Sequence, residues 1–216
     1  MATRRAESFS DGVFAVAITL LVFDLLSVGR GKLSFGVLGD AWPEFAAYVV
    51  SFLTIGIMWL NHHTMLAHVR RVDRTTLVLN IVLLMGIVAV PFPTGLVAEH
   101  LGPHAPSGGE TAAVVYGLVL IGISLAYAAM WLYIGTHGDR LGAWPRARSP
   151  RGSTLRFTGG TLAYLAGTLI AAAGQPGAAL ALYGAIAVYY LFEHLPTPAV
   201  GGLDGEDWEG GQQEGD

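Results

Sequence analysis

The sequence predicts an all-α integral membrane protein with six transmembrane helices and both termini on the cytoplasmic side. Three observations carry this. Only 13% of the 216 residues are charged and 53% are hydrophobic, whereas soluble domains carry about a quarter charged residues. Six apolar segments recur along the chain, most of them near the roughly 20 residues that cross a bilayer core. The basic residues are sorted between alternate connections, as the positive-inside rule requires.

The first segment lies within Arg5 to Ser27, RAESFSDGVFAVAITLLVFDLLS, and its apolar part covers about 9–27. No charge falls between Gly12 and Phe23, and Thr19 is the sole polar side chain there. A connector with Arg30, Lys32 and Asp40 follows and ends at Trp42-Pro43, an interfacial start signal. The second segment covers about 44–69 and closes on WLNHHTMLAHVRR. The third covers about 75–98, with Pro91 and Pro93 expected to kink or end it. The fourth covers about 111–135, the fifth about 154–173 and the sixth about 177–194, with a tight turn at Gln175-Pro176-Gly177 between the last two. Glycines 159, 160, 167, 174 and 184 make those two helices suited to close packing.

A cytoplasmic N-terminus places Arg4, Arg5, Arg70, Arg71, Arg74, Arg140, Arg146, Arg148, Arg151 and Arg156 inside, leaving only Arg30 and Lys32 outside. Residues 1–195 then form the membrane domain. The tail 196–216 is Gly- and acid-rich, with too little apolar surface to fold, and is expected to be disordered.

Several function classes fall away. The net charge of -4 and the lack of basic clusters interleaved with aromatics argue against a nucleic-acid partner. The chain has no cysteine, which excludes disulfides, cysteine-ligated zinc and iron–sulfur clusters. No HExxH, GxSxG or GxxxxGK[ST] motif occurs. His62, His63 and His68 are not spaced to put three ligands on one helix face. No enzyme activity, cofactor or resident metal is expected.

Antiparallel first and second helices bring Arg5, Phe9, Ser10 and Asp11 to the same cytoplasmic depth as Trp59, Asn61, His62 and His63. A carboxylate in a membrane helix costs a few kcal/mol, about 2.5–3.5 on insertion scales, so Asp11 needs a partner such as Arg5, a histidine or the Trp59 indole. This cluster reads either as a structural clamp between the two helices or as a proton-sensing group built on His62 or His63.

On the first helix, Val16, Leu20 and Phe23 fall at i, i+4 and i+7, with Thr19 beside them and Asp24 near the outer end. Such a stripe is either ordinary packing or a hydrophobic ring, a hydroxyl layer and an outer acid along a cation path. No second copy of this segment exists in the chain, so a pore would need several chains.

Arg5 to Asp11 fits the RxxxFSD signature of the lysosomal and endosomal potassium channels called transmembrane protein 175. GVFAVAITLLVFDL and the later MWLNHH (Met58 to His63) also resemble bacterial members, and the likeness covers about residues 5–194. A single set of six helices resembles the bacterial homotetramer. The resemblance implies a potassium-permeable channel without the usual filter, and the chain has no TVGYG. It further implies that the first helix of each subunit lines the pore. Val16 would then lie at the constriction, with Leu20 and Phe23 the next pore-facing positions outward. Thr19 would match a threonine that aids potassium selectivity. Arg5, Ser10 and Asp11 would hold the pore helix with Trp59, Asn61 and His62. Val16 is smaller than the usual constriction residue and Phe23 is bulkier than its counterpart, which points the narrowest place outward. Permeant potassium, other copies of the chain and membrane lipid are the partners implied, in a bacterial-type cell membrane.

Two other readings fit the residues: a proton-linked transporter using Asp11 and the His62/His63 pair, and a non-conducting structural membrane protein.

Overall fold

The computed structural model describes residues 3–26, 28, 34–102, 105–142 and 150–192, with 150–158 as backbone. The described residues are almost all helical. The tail 196–216, Arg30, Lys32, Arg146 and Arg148 lie outside them, as do the side chains of Arg151 and Arg156.

The first apolar segment forms α1 (Thr3–Leu20) and α2 (Val22–Leu25), together one 23-residue span. At 1.5 Å per residue this is about 35 Å, enough to cross a bilayer core. The helix begins six residues before the expected start near residue 9, because its polar head is itself helical. Ser8 Oγ donates to the Arg4 carbonyl at 3.0 Å and Ser10 Oγ to that of Ala6 at 2.8 Å, so both hydroxyls fold back onto the helix. Leu21 separates α1 from α2 with a tightened turn in which its N–H reaches the Ile18 carbonyl at 3.3 Å.

The connector contains α3 (Phe35–Asp40). Ser34 caps it, accepting from the Val37 N–H at 3.2 Å. Next comes α4 (Trp42–Ala67), with Pro43 in its first turn, where a missing N–H costs nothing. Asp73 then caps α5 (Arg74–Ala89), accepting from the Thr76 N–H at 2.8 Å.

Pro91 interrupts this helix without ending it. Val90 keeps helical angles (φ −57°, ψ −41°), and α6 (Pro91–His100) carries the span on to 27 residues in all. The expected termination is thus not seen: the chain stays helical through Val90 and continues to His100. After Gly108, at φ +132°, comes α7 (Gly109–Thr136), followed by the short α8 (Gly138–Leu141).

Finally α9 (Pro150–Ala172) and α10 (Pro176–Phe192) meet at the expected tight turn. Gly174, at φ +84°, closes α9: its N–H reaches the Ala171 carbonyl at 3.0 Å and the Gln175 N–H reaches that of Ile170 at 3.2 Å. Both bonds of a Schellman cap are therefore made, and Pro176 starts the next helix.

Among the described residues, four spans are long and apolar enough to cross a membrane: Thr3–Leu25, Trp42–Ala67, Arg74–His100 and Gly109–Thr136. Gly159–Ala172 and Pro176–Phe192 are shorter apolar helices. Water supplies no hydrophobic drive inside a bilayer, so close packing must hold the helices together. Gly117 of α7 faces Thr168 of α9 and Tyr183 of α10, and Gly167 of α9 lies under the Tyr183 ring; neither position has room for a Cβ. Phe14, Leu21, Ile55, Leu83, Ile87, Tyr116, Leu120 and Met130 fill the interior.

Candidate functional site

Helix α1 has two unlike faces. Ala6, Ser10, Phe14, Ala17 and Leu21 are buried against the rest of the subunit. On the other side Phe9, Gly12, Val16, Thr19, Leu20 and Phe23 are exposed; Val16 retains 54% and Phe23 62% of its surface. The Thr19 hydroxyl donates to the Val16 carbonyl at 2.8 Å, which leaves its oxygen lone pairs unclaimed by that bond. Asp24 is half-buried and leans on the bare Cα of Gly95 in α6, where a Cβ would stand 2.9 Å from its Oδ1.

The buried face is fixed by a chain of hydrogen bonds. Asn80 of α5 donates through Nδ2 to Ser10 Oγ at 3.0 Å. Its Oδ1 meets His62 Nε2 of α4 at 2.7 Å. Because Asn80 spends its amide hydrogen on Ser10, Oδ1 accepts and His62 carries its proton on Nε2. Ser10 and His62 are fully buried and Asn80 nearly so. The Phe14 ring covers the imidazole at 5.4 Å between centroids. Three helices are thereby joined at one depth.

A second, more exposed layer lies alongside. Trp59 Nε1 donates to Asp11 Oδ1 at 2.8 Å, so the carboxylate has the indole partner that its place in a span demands. His63 Nδ1 lies 2.8 Å from Glu7 Oε1, and its ring stacks on Trp59 at 6.0 Å.

Of the residues singled out in the sequence, Ser10, Asp11, Trp59, His62 and His63 come together here. Arg5 is exposed and makes none of these bonds, and Phe9 lies on the free face of α1. Asn61 points to the other side of α4, into a cavity shared with α7, α9 and α10. Helical geometry explains the split, since neighbouring residues are about 100° apart. Sequence reasoning missed Asn80 as the bridge. Its signal was available: it is the one polar side chain between Leu77 and Pro93.

Outside the spans, Asp73 gathers a separate set of donors. Thr76 N and Thr76 Oγ1 reach its Oδ1 at 2.8 Å each, and Tyr133 Oη reaches its Oδ2 at 2.6 Å. Burial disfavours the charge, yet these hydrogen bonds and the nearby His137 outweigh it and hold the carboxyl below the ordinary range.

Residues 5–91 match the family model described as "Endosomal/lysosomal potassium channel TMEM175". A potassium channel of Streptomyces collinus is 43% identical over 197 residues, covering 90% of this chain and 94% of that protein. The crystal structure of a lysosomal potassium-selective channel TMEM175 homolog from Chamaesiphon minutus superposes with a TM-score of 0.72 at 31% identity, covering 88% of this chain and 96% of that one. An "endosomal/lysosomal proton channel TMEM175" of Danio rerio is 30% identical over 142 residues, covering 61% of this chain and 27% of that longer protein. Channels are not enzymes, which agrees with the absence of catalytic motifs. A 43% identical relative aligned over nearly its whole length makes this chain a member of the TMEM175 channel family.

Proposed function

We propose that this chain is the subunit of a homotetrameric, potassium-permeable channel in a bacterial-type cell membrane, with six transmembrane helices and both termini cytoplasmic. Residues 1–195 form the channel body. The observation that carries the reading is the free face of α1: a span whose exposed side holds Val16, Thr19, Leu20 and Phe23 while its other side is anchored by polar bonds. Four such faces around an axis enclose a path. Apolar grooves between α1 and α5, lined by Phe9, Val13, Val16, Ile81, Met85 and Val88, supply surface for the neighbouring copy.

In this channel Val16, Leu20 and Phe23 form a hydrophobic gate, which blocks ions by excluding water. Thr19 supplies the polar layer; its hydrogen points back to Val16, so its oxygen can face a cation. Asp24 acts on the outer mouth through its field, since its carboxylate leans toward α6. The cluster of Ser10, Asp11, Trp59, His62 and His63, with Asn80 added, is the clamp that holds the pore helix, and Arg5, Phe9 and Asn61 flank it. The hydrogen bonds engaging Asp11 and His62 favour this clamp over a proton-linked transport cycle.

The test is the reversal potential of purified protein in planar bilayers under opposed potassium and sodium gradients. A potassium-shifted reversal that Thr19→Ala weakens, with larger currents in Leu20→Ala, supports the assignment. Intact tetramers that pass no current overturn it, and proton-flux measurements on the same vesicles then decide for the transporter.

A further inference from the structure

The cavity that Asn61 enters is independent of both faces of α1. It lies between α4, α7, α9 and α10, and its polar lining is Thr54, Asn61, Ser124, Tyr127, Tyr164 and Tyr190. The space open to water centres is ≈ 60 Å³. This is well above the minimum of about 10–15 Å³ that a single water needs. Thr54 stands near the middle of α4, about 18 Å from its Trp42 end. Asn61 and Tyr190 stand toward the ends of their helices that reach the proposed cytoplasmic side.

The cavity wall contains a polar atom that the protein satisfies only weakly. Thr54 is only 3% exposed, and its Oγ1 makes no hydrogen bond within 3.5 Å among the described residues, although the Tyr116 hydroxyl stands close enough to interact with it. Other helix threonines in this chain fold their hydroxyl back onto the helix: Thr64 onto Leu60, Thr94 onto Val90, Thr136 onto Leu132 and Thr168 onto Tyr164, at 2.8–2.9 Å. Thr54 instead lines the cavity. A buried hydroxyl left without a partner costs about 1–3 kcal/mol, and a water bridging several polar groups removes that cost.

The lining offers the two to four partners such a water requires. Tyr127 Oη donates to the Met58 carbonyl and Ser124 Oγ contacts Thr161 Oγ1 at 2.6 Å, and a hydroxyl engaged in one such bond can still take part in another. The Asn61 amide adds donors and an acceptor at the shallow end. An empty apolar void would be dry; this one has a mostly apolar wall, but Thr54, Asn61, Ser124 and three tyrosines bring polar groups to it.

We propose that each subunit holds a water-filled crevice between α4, α7, α9 and α10 that brings solvent from the Asn61 side to Thr54 at mid-membrane depth, apart from the central pore. The ligand is water, and ions as small as Ag⁺ can follow it. The proposal needs the bilayer setting of the subunit but not a conducting pore.

The native chain has no cysteine, so a single introduced thiol reports without background. Thr54→Cys and Ser124→Cys place thiols on the crevice wall; Ile55→Cys, fully buried on the same helix, places one in the packed core. Full-length protein in chloride-free vesicles is treated with Ag⁺, which bonds to the sulfur as the thiol proton leaves to water. Unreacted thiol is counted by mass spectrometry after denaturation. The expected result is that the Thr54 and Ser124 thiols react at least tenfold faster than the Ile55 thiol. If both react within twofold of the Ile55 thiol, the crevice is dry and the proposal fails. Two wall positions guard against one variant misfolding, and potassium current recorded from the same vesicles reports on the pore separately.

Discussion

The Trp59 indole donates to the Asp11 carboxylate at 2.8 Å, tying α4 to the polar head of α1. The bond joins a donor with no acceptor function to an acid placed in a membrane span, and it leaves the opposite side of α1 uncommitted. Trp59→Phe keeps the ring and removes the N–H. It is expected to destabilise the subunit by about 1–2 kcal/mol in detergent unfolding, the range for a hydrogen bond between membrane helices when one partner is charged. Asp11→Ala is expected to reduce tetramer recovery on size exclusion without changing ion preference. Normal assembly with altered selectivity would show that Asp11 is no clamp.

Asn80→Leu tests the bridge between His62 and Ser10. It leaves the buried His62 N–H unpaired, at a cost of about 1–3 kcal/mol. Ser10→Ala, which loses only the far end of the chain, is expected to cost less. Thermal unfolding of the two variants side by side checks the order.

Gating is separable from clamping. Val16→Ala, Leu20→Ala and Phe23→Ala each widen one level of the free face of α1, and none touches the buried bonds. Single-channel recording is expected to show the largest rise in open probability at the level that is narrowest in the closed state, with unchanged tetramer yield for Leu20→Ala and Phe23→Ala.

The Asp73 cap predicts an acid-labile element. Its carboxyl is held low in the folded chain, so its contribution to stability is complete above the unfolded value of about 3.9 and is lost as pH falls through the folded value. Thermal midpoints from pH 7 to pH 3 are expected to fall more steeply below about pH 4 in the native chain than in Asp73→Asn. At neutral pH, Asp73→Ala should cost about 1 kcal/mol through the lost cap.

Helix contact is tested at glycines. A methyl at Gly117 overlaps Thr168 Oγ1 and Tyr183 Oη, whereas one at Gly122 meets nothing within 4 Å. Gly117→Ala is expected to destabilise by about 1–3 kcal/mol and Gly122→Ala to be neutral or mildly stabilising, measured by unfolding in detergent.

The sequence made some of this legible and left other parts hidden. Hydropathy and proline placement located the spans, because burial in lipid forces long apolar runs. Antiparallel order was enough to bring Asp11 to Trp59, since depth follows from counting residues along two helices. Asn80 required knowing which face of α5 turns toward α1, and an almost uniformly apolar helix carries no such signal. Asn61 and His62 are adjacent in sequence but serve different spaces, which side-chain identity alone does not reveal. Helix α1 starts ahead of the apolar run because Arg4, Glu7 and Ser8 are helical in backbone though polar in side chain, and hydropathy marks only the apolar part.

Of the four long spans, the one formed by α1 and α2 is the least covered by the subunit's own side chains. It also precedes the others in the sequence and leaves the ribosome ahead of them. Order of synthesis and order of completion therefore run opposite ways. This span can dock by its polar side only once α4 and α5 have been made, and in the proposed tetramer its apolar side waits for a neighbouring copy. The proposed assembly is thus completed at the span that is made before the other three.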